Sequence, residues 1–333
     1  MNNKNFIYDL RKYPVFLSKK LLTSMIEATS PKEDFNIFAY ENRNMDGIKA
    51  LNPAKHALTV KRCDMRALPT EEPMTKNGFD RLQETCVHYA EPVIILHESC
   101  DKLWNYIQIY NYRGWVKSDA FAIPFSDKTW FDFAGTVNFL VMTDPFYEYN
   151  DTEIDMGVRL PILGKKDNCY IAVMPVLNNK KLDFENILIP EEKACEEYLK
   201  FNISNWFSQI YKYIGTSYCW GEKGFGVDCG SFIVNVLSCF GCKMPRNVFQ
   251  QEQVLKDFAV VTEDYPLGSL LYIEGHVMVY LGKKDNQPMV LHAFGREEYM
   301  CVCETPTGIP IDANQVIRTC IPVNTELINY LKL

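Results

Sequence analysis

The chain has 333 residues, 47% hydrophobic and 23% charged, which is ordinary globular composition with length for two to four domains. A formal net charge of −7 argues against nucleic acid and anionic wall polymers as bulk electrostatic ligands. No apolar run reaches the roughly eighteen residues that a transmembrane helix needs, so no membrane span is expected.

The segment Met1–Lys12 lacks a continuous apolar stretch and a small-residue cleavage site, so it is not a signal peptide. The expected location is cytoplasmic as numbered, or periplasmic or secreted if a leader was removed. The twelve cysteines are spread along the chain and do not form a compact disulfide framework; reduced thiols fit better. Residues 1–64 mix short helical and extended signals and carry no nameable chemistry. Within them, Phe16 to Ala28 is expected to form one amphipathic helix that braces other domains.

From 65 to 190 the pattern changes to short strands with turns, as in small barrels. Residues 65–123 form a first unit with strands at Pro92–Glu98, Leu103–Tyr110 and Gly114–Val116. Residues 124–190 form a second, with strands at Gly135–Val141, Val158–Leu163 and Tyr170–Pro175. The two read as SH3-like barrels in series. Trp104, Tyr106, Tyr110, Tyr112 and Trp115 are expected as barrel core and rim rather than as a ligand platform.

From 191 to 333 helices come first. Ile203, Phe207, Ile210, Tyr211 and Ile214 share one expected helical face. Phe232, Ile233, Val236, Leu237 and Phe240 mark the next helix. An antiparallel sheet follows, with strands at Ser269–Ile273, Gly275–Leu281, Met289–Ala293, Met300–Cys303 and Val316–Ile321. Helices followed by strands predict an α+β domain.

That last domain carries the chemistry. Asp228-Cys229-Gly230-Ser231-Phe232 follows a glycine-rich approach, Trp220 to Gly226. It places Cys229 at a helix N-terminus, where backbone N–H groups and the dipole favour the thiolate. Gly282-Lys283-Lys284-Asp285-Asn286 is turn chemistry between two strands. A hairpin centred on 284 sets His276 and His292 opposite each other on one face. The layout suits nucleophilic catalysis, with Cys229 as nucleophile, His276 as general base and His292 as the group that orients it. Each alone is more often structural; together, with only five histidines in the chain, they form a constellation. Cys239-Phe240-Gly241-Cys242 is a lone C-x-x-C, and Cys301 and Cys303 lie downstream. They make too weak a zinc signal, and Cys239 and Cys242 are expected to pack at the end of the catalytic helix. No metal or other cofactor is expected.

Tyr213 to Gly221, Asp228-Cys229, Met244-Pro245-Arg246-Asn247 with Gln250 and Gln253, Gly268 to Leu271, Gly275-His276-Val277 and Leu291-His292-Ala293 together resemble the NlpC-type papain-like cysteine peptidases. Upstream, Asp64 to Thr70, Phe79 to Gln83, Tyr112 to Val116 and Met156 to Pro161 resemble a branch of that family. Its members carry an N-terminal stabilising segment and two bacterial SH3-like domains ahead of the peptidase domain. The resemblance covers nearly the whole chain. It implies an endopeptidase that cleaves the γ-D-glutamyl–diamino acid bond of peptidoglycan stem peptides or muropeptides with a free N-terminal L-Ala. It further implies that Asp228, Glu91 and Tyr112 bind that ammonium and that Tyr218 lines the cleft near the oxyanion. Carboxylates and a phenol would reject an acylated amine. Helix capping is the alternative role for Asp228, and Arg246 is expected to fasten the loop after the helix. Two departures stand out: the family has Ser then Gly after the cysteine where this chain has Gly230-Ser231, and Ser269 occupies a position where Asp is common. An amidase or acyltransferase acting on another amide, and a non-catalytic binder of wall fragments, are the alternative functions.

Overall fold

Period-two alternation broken by turn residues makes antiparallel strand the commonest regular element in the computed structural model, which describes residues 6–33, 35–179, 181–262, 264–296, 299–306 and 317–332. The chain divides into two compact units. One is built from Tyr8–Met142 and Phe146–Glu197, the other chiefly from residues after Tyr198.

The first unit holds two larger sheets. In the seven-stranded sheet the order is Phe121–Ala122, Lys55–Thr59, Pro92–Glu98, Trp104–Gln108, Arg113–Lys117, Cys63–Arg66, Gln83–Val87. In the five-stranded sheet it is Lys181–Pro190, Cys169–Asn178, Arg159–Lys166, Phe139–Met142, Ala194–Glu196. Trp104, Tyr106 and Trp115 are buried, as expected of barrel core. They join Leu22, Ile26, Trp130, Leu140 and Leu160 in one apolar cluster. Burial of each such aliphatic side chain contributes roughly 2 kcal/mol.

Two expectations for this unit need correction. Phe16–Ser18 is a strand paired with Leu51–Pro53, and the helix begins only at Lys19 because the Ser18 side chain caps it by accepting from the Leu21 N–H. Residues 135–138 are not strand either. A helix, Asp127–Ala134, precedes them, started by Ser126 and stopped at Gly135, so the strand begins at Phe139.

In the second unit α1 (Ile203–Tyr211) buries Trp206, Gln209 and Ile210. Of the expected face, Ile210 is buried and Phe207 half-buried, whereas Ile203, Tyr211 and Ile214 are exposed. Trp206 sets the rotation: its indole is fully buried and its Nε1–H donates to the Gly268 carbonyl at 3.1 Å. The nucleophile helix α2 (Cys229–Ser238) and α3 (Val248–Leu255) follow. The sheet consists of β1 (Leu270–Ile273), β2 (His276–Lys284), β3 (Gln287–Arg296), β4 (Tyr299–Pro306) and β5 (Thr319–Ile321), in the order β4-β3-β2-β1-β5 and antiparallel throughout. Val316, expected to begin the last strand, lies outside the described residues. α2 packs on β2 and β3, which brings the helix start to the sheet.

The β2–β3 register differs from the expected one. The turn residues are Asp285 and Asn286, both at positive φ, with Lys284 paired to Gln287. A bulge lies between Tyr280 and Gly282, beyond which Val279 pairs with Leu291. Counting three residues back from Val279 and three on from Leu291 sets Phe294, not His292, across from His276. The offset is two residues, so both histidines keep the same face, now as a diagonal pair.

Candidate active site

Cys229 is the first residue of α2. Asp228 is the N-cap, and its Oδ1 accepts the Ser231 N–H at 2.9 Å while Ser231 Oγ accepts the Asp228 N–H at 3.0 Å. This reciprocal capping box fixes the first turn. It explains how Gly230-Ser231 replaces the reverse order: Ser231 stands at the third helical position, where the box needs a side-chain oxygen. Gly230 has its own reason. A Cβ there would lie 2.9 Å from the Arg246 carbonyl oxygen and 3.2 Å from its guanidinium. Gln251 fastens the same loop, donating from Nε2 to the carbonyls of Gly230 at 3.1 Å and Pro245 at 3.0 Å.

The Asp228 carboxylate has further donors. Arg246 reaches Oδ1 at 3.1 Å and Oδ2 at 2.6 Å, and the Gly221 N–H reaches Oδ2 at 3.1 Å. Four donors fill the acceptor directions of the group. Arg246 therefore fastens the loop to the cap, as expected. Its Nε lies 3.4 Å from Glu222 Oε2.

The thiol itself is buried, 9% exposed. Burial and the Asp228 charge push its pKa up to about 12, against the backbone N–H groups of Val277 and Gly230 and the Arg246 charge, which favour the thiolate. Cys229 thus rests as a neutral thiol and needs a base at the moment of reaction. The Val277 contact places the sulfur beside the residue that follows His276.

Gly275, at φ +71, closes the two-residue turn between β1 and β2 and delivers His276 as the first residue of its strand. His276 Nε2 and His292 Nδ1 are 2.9 Å apart, and the ring centroids 5.1 Å. His292 is 1% exposed and stacks on Phe294 at 5.1 Å. Burial pulls its pKa down to about 4, so it is neutral at pH 7. With Nε2 of His276 engaged, Nδ1 is the nitrogen that can serve a thiol. In the tautomer that leaves Nδ1 basic, His276 Nε2–H donates to His292 Nδ1 and His292 carries its proton on Nε2. That atom is buried and has no acceptor among the described residues. A thiol at a helix tip beside a paired imidazole can perform acyl transfer.

The family model of the NlpC/P60 family matches residues 215–302, the stretch that holds the cysteine and both histidines. The C-terminal unit carries an NlpC/P60 domain. An SH3 domain of the SH3b1 type matches residues 70–117 ahead of it. Among solved structures, the chain resembles an NlpC/P60 endopeptidase from Photobacterium damselae subsp. piscicida at a TM-score of 0.67 and 19% identity, covering 93% of this chain and 82% of that one. It also resembles an NlpC/P60 family protein from Bacillus cereus at 0.60 and 16%, covering 80% of this chain and 99% of that one. At such identities the likeness is one of fold. No curated protein matches the sequence.

Within the NlpC/P60 domain, Tyr218 is buried and lies against β3: a Cβ on Gly295 would fall 2.2 Å from its ring. Glu91 and Tyr112 belong to the other unit. There the Glu91 N–H donates to Thr59 Oγ1 at 2.7 Å, and the Tyr112 hydroxyl donates to Glu84 Oε2. Cys239 and Cys242 are buried behind α2, and Cys242 Sγ lies 3.7 Å from the Ile328 carbonyl. The side chains of Cys301 and Cys303 lie outside the described residues. Among the described residues no cluster of three metal-ligating side chains occurs, and no helix is long and apolar enough to cross a membrane. Sequence reasoning missed Glu222 and Phe294. The signal for Glu222 was available: one acid in a glycine-rich approach, two residues after an aromatic.

Proposed function

We propose that this NlpC/P60 cysteine peptidase hydrolyses the γ-D-glutamyl–diamino acid bond of peptidoglycan stem peptides, with Cys229, His276 and His292 as its triad. The observation that carries the reading is the 2.9 Å contact of His292 on β3 with His276 on β2, the strand whose Val277 N–H favours the Cys229 thiolate. His276 takes the thiol proton as the sulfur adds to the γ-carbonyl carbon. The carbonyl oxygen becomes an oxyanion, and the Cys229 N–H, in the first helical turn where backbone donors lack helical acceptors, is suited to receive it. The C–N bond breaks as His276 returns the proton to the leaving amine of the diamino acid, leaving a thioester on Cys229. Water, deprotonated by His276, then releases the glutamyl product and restores the thiol. His292 stabilises the imidazolium that forms in each half.

The finer part of the proposal is a requirement for a free N-terminal L-Ala. Asp228 is occupied by four donors, so it has no vacant oxygen for the ammonium, which it favours only through the net negative charge of the Asp228–Arg246–Glu222 group. The deciding experiment is hydrolysis of L-Ala-γ-D-Glu-diaminopimelate by the purified protein beside its N-acetylated form, read by mass spectrometry. Release of L-Ala-D-Glu from the free-amine peptide alone is expected. Cleavage of both forms removes the amine requirement and keeps the triad. Cleavage of neither overturns the stem-peptide reading.

A further inference from the structure

The charged group behind the nucleophile is larger than a helix cap needs. A cap requires one acceptor for the Ser231 N–H. Here Asp228 also takes both terminal nitrogens of the Arg246 fork, Arg246 Nε faces Glu222 at 3.4 Å, and Glu222 Oε1 accepts from Asn235 Nδ2 in the middle of α2 at 3.3 Å. Glu222 is 2% exposed and Arg246 6%. Glu222 lies at φ +59 directly after Gly221 at φ +60. A glutamate adopts that left-handed backbone only where its surroundings impose it. The turn aims the Gly221 N–H and the Glu222 carboxylate into the same cluster. Two carboxylates and one guanidinium are therefore buried together, one residue from the thiol.

We propose that Arg246 and Glu222 are positioning residues for the nucleophile: Arg246 neutralises the capping carboxylate beside the thiol, and Glu222 fixes the plane of the guanidinium. The proposal deepens the functional reading and rests on Cys229 as the reacting group. A capping carboxylate holds the helix start but opposes a thiolate next to it, whereas the helix N-terminus favours one. The guanidinium reconciles the two demands. Glu222 is needed because a guanidinium held on one edge can swing, whereas one clamped between two carboxylates keeps its fork on Asp228.

Titratable groups also lie on the neighbouring sheet: His276 on β2 and His292 on β3, the strands that α2 packs on, and Tyr272 on β1, whose phenol senses a charge on Cys229. Burial keeps the Tyr272 phenol protonated well above its usual range, and His292 stays neutral above about pH 4. All three are common to every variant below.

The test is the pH dependence of Cys229 alkylation by iodoacetamide in the full chain, read at the Cys229 peptide by mass spectrometry. R246M is expected to raise the midpoint by about one pH unit, and so to slow alkylation at pH 7 about tenfold. The double variant R246M with E222Q removes one charge of each sign and is expected to bring the midpoint back toward wild type. A merely structural role predicts no such return. An R246M midpoint equal to wild type in a folded protein, or a double variant no closer than R246M, overturns the proposal. Should R246M fail to fold, R246K keeps the charge without the fork; it should hold the wild-type midpoint while peptide turnover falls about tenfold, and wild-type turnover would count against us. Midpoints that move as expected without hydrolysis of any stem peptide uphold the positioning role and sink only the substrate reading. Hydrolysis with unmoved midpoints does the reverse.

Discussion

The two halves of the candidate site are held by different physics. Cys229 sits on a buried charged cradle in which Asp228, Arg246, Glu222 and Ser231 satisfy one another. His276 and His292 sit on an apolar hairpin, where a bulge, a two-residue turn and the Phe294 ring set their meeting. The difference teaches where each half is vulnerable. A charged cradle fails when one member is removed, because the remainder is left buried and unpaired. A hairpin tolerates apolar exchange but not a one-residue slip of register, which would turn the histidine of the slipped strand to the other face.

The largest expected effect tests whether the halves act on one group at all. Cys229→Ala should lower stem-peptide hydrolysis by at least about 10⁴-fold, since removing a nucleophile leaves only binding and oxyanion donors. Thermal unfolding should change little. Substantial residual turnover would mean that the helix tip is a fold feature and that the chemistry lies elsewhere.

Next in size is the cradle. Asp228→Ala removes the cap and takes one carboxylate from the buried Arg246 guanidinium. The expected loss is about 3–5 kcal/mol in urea unfolding, and Asp228→Asn should lose less because the amide oxygen can still cap. If both substitutions cost under about 1 kcal/mol, the cradle is not the rigid support described above.

The hairpin half is tested by acid. Burial lowers the pKa of His292 to about 4, against about 6.5 in the unfolded chain. The neutral form is the one the fold accommodates, so this contribution to stability is whole above about pH 6.5. It is lost progressively as the pH falls toward 4, where the unfolded state binds the extra proton. The loss amounts to about 3 kcal/mol over that window. His292→Asn should flatten this slope and reduce turnover about a hundredfold. An unchanged pH–stability curve in the variant would show that His292 is not the titrating group.

These contrasts follow what the sequence could and could not reveal. Cys229 and the two histidines were legible because chemistry needs particular residue types at particular element ends, and Gly275-His276 and Asp228-Cys229 announce those ends. The register was not. Turn propensity allowed a centre at 284 or between 285 and 286, and the bulge at Tyr280–Gly282 leaves no mark in period two. The strand Pro92–Glu98 was read from its run of branched residues, whereas the helix Asp127–Ala134 was hidden by being two turns long, although Ser126 and Gly135 flank it as cap and stop. Ile210 was placed correctly on the buried face of α1 and Ile203 and Tyr211 were not, because one large ring, Trp206, outweighs several smaller apolar residues in choosing what is buried.

The smallest expected effect asks how stiff the cradle is. Gly230 lies in the first turn of α2, where alanine would ordinarily gain about 1 kcal/mol of helix stability. Against that, a Cβ would meet the Arg246 carbonyl oxygen at 2.9 Å, which is backbone and cannot rotate away. Overpacking of this kind costs about 1–3 kcal/mol. The two terms oppose, and the clash should win: Gly230→Ala is expected to destabilise the protein by about 1 kcal/mol in urea unfolding. It should also slow hydrolysis, because the displaced loop carries Arg246. A net gain in stability would mean that the loop yields freely, and then the guanidinium could not be holding Asp228 in a fixed place beside the thiol.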